Sequence, residues 1–517
     1  MGTCGYPDVV PWTVPMPARK PDRGRPKTSG RPSIQIVHFS DIHIDPLYVP
    51  GASTECHKPI CCRPYTEGDE PGKSASPAGP FGDHSCDAPI SLEKSMYEAI
   101  KRVAPNAAFA MFTGDIVDHA IWNTTTSSNH HLIEHAYFTM NQTLGSLPVY
   151  GTAGNHEAHP VNSFPFNMPG RETSSIYHLL STEWKPWIGA EAAELAKELG
   201  AYAVKHPGAK LRIISLNTNI YYRHNFWTYH DMDDKDPNRQ MAWLVGELDA
   251  AEQAGDSVYI MGHMPPGEKD ALHDGSNYLD QIFNRYSDTI AAMFYGHTHL
   301  DHFEITYSDY GARTANNARL MSYIAPSLTP TAGMPSFRVY DVDPVTFGVR
   351  DATTYIADMT RPEFHSSGPV WTKLYSAKEA YGPYVQPPVT EPTEELTAAF
   401  WHDVTKAMES DNNVFDAYMA RKSRGWKPAR CRDECKVEEL CQLRAGRAQD
   451  NCFRPRLGFH LDRRRLSEER GEHDECGAPL SPSVFGAVRD KENLRLFVEL
   501  AQEEMRKAGR MMGEEQE

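Results

Sequence analysis

The sequence predicts an α/β fold in which short buried strands alternate with amphipathic helices. Apolar runs of strand length recur from residue 34 to residue 354, and segments with helical apolar spacing separate the first six of them. Five of these runs end in a glycine or a turn that carries metal-type ligands. Because ligands collect outside the carboxyl ends of strands in such sheets, we expect these five turns to meet at one edge.

The predicted elements follow one another along the chain. Strands are predicted at 34–40, 107–113, 149–153, 211–216, 257–261, 291–295, 303–307, 320–324, 337–341 and 346–354. Helices are predicted at 92–103, 130–144, 173–199, 240–253 and 278–289. Since the last four strands have no helices between them, we expect this part of the fold to finish with antiparallel pairing.

The regions outside these elements differ in composition. The first 33 residues are rich in Pro, Arg and Lys and have almost no apolar periodicity, which is typical of an extended linker. The end of the chain is charged and poorly patterned, with a solvated helix predicted at 491–516. The predicted division is a Pro-rich linker (1–33), a catalytic domain (34–373), a helical C-terminal subdomain (374–460) and a charged, partly disordered tail (461–517).

Eight of the ten cysteines lie in two local clusters within loops. They are Cys56, Cys61, Cys62 and Cys86 in an insert at 45–89, and Cys431, Cys435, Cys441 and Cys452 near the C-terminus. Such spacings favour disulfides formed in an oxidising compartment, whereas the alternative, a structural zinc site, lacks a Cys-x2-Cys pair. Cys4 and Cys476 have no predicted partner. The acceptor motifs at Asn123 and Asn141 are compatible with glycosylation of a secreted protein.

Charge and hydropathy exclude several classes of partner. The 517 residues contain 52 Lys and Arg against 69 Asp and Glu, a formal charge of −17, which disfavours a nucleic-acid partner. No apolar window of about 18 residues is long enough to span a bilayer. No signal peptide is visible at the N-terminus. The disulfide pattern and the missing signal are reconciled if the sequence lacks its original N-terminus.

The turns after the five strands carry a mixed set of oxygen and nitrogen ligands. The candidate metal ligands are Asp41, His43, Asp115, Asn155, His263, His297 and His299. Carboxylate, amide oxygen and imidazole together suit a borderline divalent metal such as zinc better than calcium or magnesium. Asp115 has two oxygens and can bridge two ions about 3.5–4 Å apart, and Gly114 lets the backbone approach them closely. One histidine alone carries little weight, so the prediction depends on the ordered series.

The same motifs, taken in order, resemble the calcineurin-like metallophosphoesterases, and longer matches resemble the acid sphingomyelinase family. The longer matches are Cys-x4-Cys-Cys-Arg at 56–63, Gly-Asp-Ile-x-x-His at 114–119, Gly-Asn-His-Glu-x-x-Pro-Val-Asn-Ser-Phe-Pro at 154–165, Asn-Phe-Trp at 225–227, Trp-Leu-Val-Gly-Glu-Leu at 243–248 and Gly-His-Thr-His-x-Asp-x-Phe-Glu at 296–304. The resemblance runs from about residue 34 to about residue 455. It implies a four-layer αββα sandwich with a helical, disulfide-bonded C-terminal subdomain.

The resemblance also implies a catalytic centre with two Zn²⁺ ions per chain. One ion would be held by Asp41, His43 and His299, the other by Asn155, His263 and His297, with Asp115 shared. A metal-bridging hydroxide would attack phosphorus in line with the leaving group, and His119 and His156 would protonate the departing alkoxide. An alternative role for His119 is to orient Asp115. Glu157 is expected to orient a ligand.

The implied activity is hydrolysis of sphingomyelin to ceramide and phosphocholine. The main alternative is a sphingomyelinase-like phosphodiesterase that acts on nucleotides or other soluble phosphodiesters. An inactive binding module is a further alternative, but every ligand position is present. We expect a monomer, secreted or in a lysosome- or vacuole-like compartment, with room for peripheral membrane contact.

Substrate contacts are predicted for Asn162 and Trp227, although Asn162 is equally well explained as a turn residue. Three other aromatic residues are candidates for a lipid or choline pocket or, alternatively, core residues; they are Trp122, Tyr221 and Tyr222. The sequence departs from the family pattern in two places. It has only a tail resembling the end of the family's saposin-like module, before about residue 33, which favours the soluble substrates. A disulfide expected between the loops after Asn219 and Gly267 is also absent.

Overall fold

The computed structural model describes residues 9–18, 25–166, 175–230 and 233–453. The strands are β1 (Ile34–Phe39), β2 (Phe109–Phe112), β3 (Val149–Gly151), β4 (Tyr202–Lys205), β5 (Leu211–Ser215), β6 (Ser257–Met261), β7 (Ile290–Tyr295), β8 (His302–Tyr307), β9 (Ala318–Ile324), β10 (Ser336–Val342), β11 (Val349–Ala357) and β12 (Trp371–Ser376). The helices are α1 (Ile90–Val103), α2 (Thr126–Leu144), α3 (Ser175–Leu199), α4 (Gln240–Ala254), α5 (His273–Arg285), α6 (Ala377–Tyr381), α7 (Ala398–Ser410), α8 (Asn412–Lys422) and α9 (Glu434–Leu443). Cys4, Cys476 and the predicted tail at 461–517 lie outside the described residues.

The first sheet has six strands in the order β12-β11-β10-β1-β2-β3. Strands β1, β2 and β3 run parallel, whereas β10, β11 and β12 add on antiparallel. The last four residues of β1 are fully buried, because both faces of the sheet are covered. Phe39 packs on Tyr97 of α1 with ring centroids 5.6 Å apart, while His38 faces Phe294 of the other sheet at 5.7 Å. Successive side chains of β1 therefore pack on opposite faces of the sheet, one against α1 and the other against the second sheet.

The second sheet has six strands in the order β4-β5-β6-β7-β9-β8. Its four central strands are parallel, and β4 and β8 are antiparallel edges. The predicted antiparallel finish is right for β8, β10 and β11. It is wrong for the pairing of β9 with β7, which is parallel.

Helices cover the outer face of each sheet. On the first sheet, α2 places Tyr137 on Phe112 with ring centroids 6.1 Å apart. On the second, Leu244 of α4 and Ile282 of α5 join one buried cluster with residues of β5, β6 and β7. This arrangement confirms the predicted four-layer αββα sandwich. Within the described residues, no helix combines the length and the apolarity needed to cross a membrane.

Several predicted boundaries were wrong for identifiable reasons. Helix α2 begins at Thr126 rather than 130 because Thr125 caps it, accepting a hydrogen bond from the Ser128 amide at 3.0 Å. Helix α5 begins at His273 rather than 278, since its polar first turn has no apolar period. The edge strands β4 and β12 were missed, because edge strands expose polar residues and lack a buried apolar run.

The cysteines of the two clusters pair locally, which confirms disulfides rather than a zinc site. The bonds are Cys56–Cys61, Cys62–Cys86, Cys431–Cys435 and Cys441–Cys452. The first two cross-link the insert between β1 and α1, and the last two cross-link the segment around α9. Segments with little regular secondary structure thereby gain the order that their own apolar contacts do not provide.

Residues 9–18, which belong to the predicted linker, form no helix or strand and lie along α5. The Tyr278 hydroxyl donates to the Val10 carbonyl at 2.6 Å, and Trp12 meets the Tyr278 ring edge-on with centroids 4.8 Å apart. Gln281 donates to the Trp12 carbonyl at 3.0 Å and accepts from the Val14 amide at 3.1 Å. Residues 9–18 therefore pack against the outer surface of α5.

Candidate metal centre

The structure brings together all seven side chains predicted as metal ligands. Each follows the carboxyl end of a parallel strand: β1, β2, β3, β6 or β7. All seven are buried, and none exposes more than 1% of its surface. Burying charged and polar groups at this density is unfavourable unless they are paired or hold a cation.

The first group contains Asp41, His43, Asp115 and His299, whose ligand atoms all lie within 4.8 Å of one another. His299 Nε2 is 3.5 Å from Asp41 Oδ1, and His43 Nε2 is 3.5 Å from Asp115 Oδ2. The Nε2 atoms of His43 and His299 are 3.1 Å apart. Two facing imidazole nitrogens at this distance require a proton or a cation between them, so the group has the geometry of a binding site.

The second group contains Asp115, His263 and His297, joined by the amide oxygen of Asn155. His263 Nε2 lies 2.9 Å from Asn155 Oδ1 and 3.1 Å from Asp115 Oδ2. His297 Nδ1 lies 3.0 Å from Asn155 Oδ1. This group therefore offers two imidazoles, one carboxylate and one amide oxygen.

Asp115 belongs to both groups. Its Oδ1 accepts a hydrogen bond from the His156 amide at 2.8 Å. Its Oδ2 is buried and lies between His43 and His263, 3.5 and 3.1 Å from their Nε2 atoms. A buried carboxylate oxygen between two sets of nitrogen donors fits a bridging ligand of two divalent ions.

Backbone carbonyls and one amide orient these side chains. His43 Nδ1 lies 2.7 Å from the Val117 carbonyl, and His263 Nδ1 lies 2.7 Å from the Thr113 carbonyl. Donation from Nδ1 to a carbonyl fixes the ring so that Nε2 is the atom that faces the centre. Asn155 Nδ2 donates to Asn162 Oδ1 at 3.0 Å, which turns Asn155 Oδ1 toward the histidines. Asn162, predicted to contact substrate or to form a turn, does lie in a turn, in which the Ser163 amide donates to the Pro160 carbonyl at 3.0 Å, and it also orients a candidate ligand.

Five of the seven candidate ligands have backbone conformations in the left-handed region. Their φ angles are 50° at Asp41, 36° at His43, 64° at Asp115, 70° at His297 and 60° at His299. Each such non-glycine residue costs about 1–3 kcal/mol, and the cost is tolerated where the surrounding structure fixes the conformation. The concentration of this strain at one edge of the two sheets is typical of a functional site.

The glycines of the motifs allow the backbone to approach the carboxylates. A Cβ at Gly154 would lie 2.2 Å from Asp115 Oδ1, and one at Gly296 would lie 2.6 Å from Asp41 Oδ2. A Cβ at Gly114 would lie 2.5 Å from the Gly154 amide nitrogen, so the absence of a side chain there allows two ligand-bearing turns to touch.

The charges at the centre are strongly coupled. Burial alone would raise the pKa of Asp115, but the charges of His263 and His156 hold this pKa well below its usual range. Burial would lower the pKa of His263, but Asp115 raises it to about 9. In the metal-free protein, therefore, the Asp115 carboxylate is paired with a protonated His263, and a metal ion bound here would take the place of that proton.

The two predicted proton donors lie beside the first group. The rings of His119 and His156 are 4.8 Å apart, and His119 is 3.9 Å from the ring of His43. His119 Nδ1 lies 2.7 Å from Asp87 Oδ1. Sequence reasoning missed Asp87, because it sits in the cysteine-rich insert and follows no strand or metal-type motif. The only sequence feature that marks its position is the adjacent Cys86.

Glu157 supports the loop that follows Asp115, in agreement with its predicted role. Its Oε1 accepts from the Ile116 amide at 2.9 Å. Burial, together with the nearby Asp115 charge, raises the pKa of Glu157 well above its usual range. Glu157 thus fixes the backbone next to the shared carboxylate.

The aromatic residues proposed for a pocket divide into buried and accessible ones. Tyr221 and Tyr222 are buried, which supports the alternative interpretation that they are core residues. Trp227 is half-buried and donates from Nε1 to Ser163 Oγ at 2.8 Å. Trp122 is exposed, with the Lys58 ammonium 5.5 Å from its ring. Asn123 and Asn141, the predicted glycosylation sites, are exposed.

An ion pair connects the loops between which the expected disulfide is absent. Arg223 Nη2 lies 2.6 Å from Asp270 Oδ1, and the Arg223 amide donates to the Asp270 carbonyl at 3.0 Å. Asp270 Oδ2 lies 3.6 Å from His297 Nε2. Burial would raise the pKa of Asp270, but Arg223 and His297 hold it well below its usual range. An ionised Asp270 therefore faces His297 Nε2, the ring nitrogen on the side away from Asn155.

We expect Asp270→Asn to weaken metal binding by about 10–100-fold, as carboxylates behind ligating histidines generally contribute that much. Competition with a chromophoric chelator would measure the change. Asp416→Asn, which removes an exposed Asp–Arg pair with Arg432, is the matched control and should leave affinity unchanged. Equal affinities for the Asp270 variant and the wild type would contradict this role.

The fold and the two ligand groups define the class of protein, and a family comparison agrees. Residues 34–301 match the calcineurin-like phosphoesterase family, to which the chain belongs. Within it, the chain is similar to human sphingomyelin phosphodiesterase, with 35% identity over 439 residues that cover 83% of this chain and 65% of that protein. Sphingomyelin phosphodiesterase A of Dictyostelium discoideum is 31% identical over 422 residues, which cover 81% of this chain and 67% of that protein.

A relative with a different name matches over more of its own length. Human acid sphingomyelinase-like phosphodiesterase 3b is 29% identical over 429 residues, covering 79% of this chain and 87% of that protein. By contrast, the chain spans slightly less than two thirds of human sphingomyelin phosphodiesterase. These relatives confirm the resemblance predicted from the motifs.

Proposed function

We propose that the protein is a zinc-dependent phosphodiesterase that hydrolyses sphingomyelin to ceramide and phosphocholine. The observation that carries this proposal is the position of Asp115 Oδ2 between two buried groups of ligands. The relatives named sphingomyelin phosphodiesterases support the choice of substrate.

The donor set fits two zinc ions. Asp41, His43 and His299 would hold one, Asn155, His263 and His297 would hold the other, and Asp115 would be shared. Imidazole with a few oxygen donors is a zinc-like combination, and no cysteine takes part. When bound, two such ions activate water and neutralise charge on the phosphoryl oxygens.

The chain's own groups supply the proton that the leaving group needs. A ceramide alkoxide is a poor leaving group, so its oxygen must be protonated as the bond to phosphorus breaks. His119 and His156, with rings 4.8 Å apart beside the first group, are positioned for this step. Asn162 holds the Asn155 side chain in place. Trp227 is half-buried and bonded to Ser163, next to Asn162, and it remains our candidate for a substrate contact.

Hydrolysis of nucleotides or other soluble phosphodiesters is the second candidate function. It is supported by the relative named acid sphingomyelinase-like phosphodiesterase 3b, a name that specifies a phosphodiesterase and no particular substrate. In the same proposal the protein is a monomer in a secreted or lysosome-like compartment, where the four disulfides of the described residues are stable, and it makes peripheral contact with lipid.

Parallel assays of two substrates test the proposal. Phosphocholine release from sphingomyelin in detergent micelles is measured beside hydrolysis of a nucleotide phosphodiester, each with added zinc and with chelator. We expect zinc-dependent release of phosphocholine. Hydrolysis of the nucleotide alone would support the second candidate, and no hydrolysis of either substrate by zinc-loaded protein would contradict both.

A further inference from the structure

We propose that Asp87 is the positioning residue for His119 and that the Cys62–Cys86 disulfide holds Asp87 in place. The inference rests on the proposed function, because it assigns the leaving-group proton to His119. It begins from a part of the chain, the cysteine-rich insert, that contributes none of the seven candidate metal ligands.

Both carboxylate oxygens of Asp87 bind His119. Oδ2 accepts from the His119 backbone amide at 2.7 Å, and Oδ1 lies 2.7 Å from its Nδ1. The Thr329 hydroxyl also donates to Oδ1, at 3.0 Å. Asp87 is fully buried, so water does not compete for these bonds. Backbone and ring are thus held by one side chain, which fixes the rotation of the imidazole.

The charge of Asp87 suits this role. Burial would raise its pKa, but the neighbouring His119 lowers it well below the usual range. An ionised carboxylate at Nδ1 keeps the hydrogen on that nitrogen. The proton that is transferred during catalysis must then be carried by Nε2.

The Cys62–Cys86 disulfide joins two chain segments that both contact the loop at Asp118 and His119. Cys86 directly precedes Asp87, and Cys62 directly precedes Arg63. Arg63 Nη2 lies 2.9 Å from Asp118 Oδ1 and 2.8 Å from Asp45 Oδ1. Asp118 is the residue before His119, so the two sides of one buried bridge bind two adjacent residues of the catalytic loop.

The proposed step moves one proton from water to the leaving oxygen by way of His119. Water adds to phosphorus, the bond from phosphorus to the ceramide oxygen breaks, and its electron pair stays on that oxygen. The oxygen takes the proton from His119 Nε2, and the proton lost by the water restores His119 for the next turnover. Asp87 keeps its charge throughout and touches neither substrate nor water.

Leaving-group dependence separates this role from a purely structural one. Sphingomyelin leaves as an alkoxide and needs the proton, whereas p-nitrophenyl phosphocholine leaves as a stable phenolate and does not. For Asp87→Asn we expect kcat to fall about 10²-fold with sphingomyelin and less than about threefold with the nitrophenyl ester. Asp83→Asn is the matched control, because the Asp83 side chain lies in the same insert and accepts from the Ser85 amide and hydroxyl; it should change neither rate. Equal losses on both substrates, or no loss on either, would overturn the proposal.

A spectroscopic readout keeps the inference distinct from the proposed function. In protein labelled with ¹⁵N-histidine, the wild type and Asp83→Asn should show His119 protonated at Nδ1, and Asp87→Asn should shift this population toward the other tautomer. An unchanged tautomer in Asp87→Asn would overturn the positioning role whatever the substrate. Wild-type protein that cleaves the nitrophenyl ester but not sphingomyelin would contradict only the proposed substrate.

The bridge is tested with a matched pair of disulfide deletions. Replacing Cys62 and Cys86 by Ala should reproduce the selective loss with sphingomyelin, by at least about tenfold, as expected when a general acid is mispositioned. Replacing Cys56 and Cys61 by Ala removes a disulfide in the same insert that is adjacent to neither Arg63 nor Asp87. This variant should not show the selective loss with sphingomyelin. Thermal melting shows whether each variant is folded. If both folded variants selectively lose sphingomyelin hydrolysis, or if neither does, the role of the Cys62–Cys86 disulfide is refuted. If the Cys62/Cys86 variant is unfolded, the result for Asp87→Asn decides the proposal.

Discussion

Asp115→Asn is expected to lower kcat/KM by about 10³-fold or more and to reduce the bound metal below two ions per chain. The substitution keeps the side-chain volume but removes the charge that both ligand groups share, and Oδ2 is the atom that lies between His43 and His263. Ions at such a centre contribute several kcal/mol of transition-state stabilisation, and each 1.36 kcal/mol changes the rate about tenfold. Phosphocholine release and metal content by mass spectrometry are the measurements.

Asp280→Asn is the matched control for this experiment. Asp280 is also buried and accepts a hydrogen bond from the Tyr310 hydroxyl at 2.8 Å, but it lies on α5, outside both ligand groups. We expect it to change stability without changing metal content. An Asp115 variant that retains two ions and more than about a tenth of the wild-type rate would refute the bridging assignment.

Metal removal is expected to make the stability of the protein fall as the pH rises from about 6.5 to about 9. Asp115 raises the pKa of His263 from 6.5 to about 9 in the folded, metal-free protein. The stabilising contribution of that proton is complete below the unfolded value of 6.5 and is lost as the pH passes the folded value of about 9, because the folded state then binds more protons than the unfolded state.

The metal-loaded protein should behave in the opposite way. Protons compete with the ions for the histidines, so metal affinity rises with pH. At a free metal concentration about a thousandfold above the Kd, each ion stabilises the fold by about 4 kcal/mol. The gap between loaded and metal-free melting temperatures should therefore widen from pH 6.5 to pH 9.

Thermal melting of both forms across this pH range measures the gap. Burial raises the pKa of Glu93 to about 8, so Glu93 titrates in the same pH range. It does so in both the loaded and the metal-free protein, and its contribution therefore cancels when the two melting temperatures are subtracted. His263→Gln is the control, and its metal-free form should lose the slope that His263 causes. Parallel curves for loaded and metal-free wild-type protein would contradict the coupling between His263 and Asp115.

The sequence by itself determined the identity of the candidate ligands and the strands that carry them. Asp41, Asp115 and His263 each follow an apolar run, and both the run and the ligand type are local properties of the chain. The clustering of eight cysteines likewise indicated disulfides, and the paired cysteines lie 4–24 residues apart along the chain. The order of these motifs was enough to indicate the family.

Only the tertiary structure decided which residues hold those side chains in place. Asp87 meets His119 across 32 residues, and Asp270 meets His297 behind the second group of ligands. Neither carboxylate stands in a motif, because a residue that orients another needs only the right position in space. The edge strands β4 and β12 were likewise decided by the neighbours they pair with. A local pattern records what a segment can bury or bind, whereas contacts between distant segments exist only once the sheets have packed.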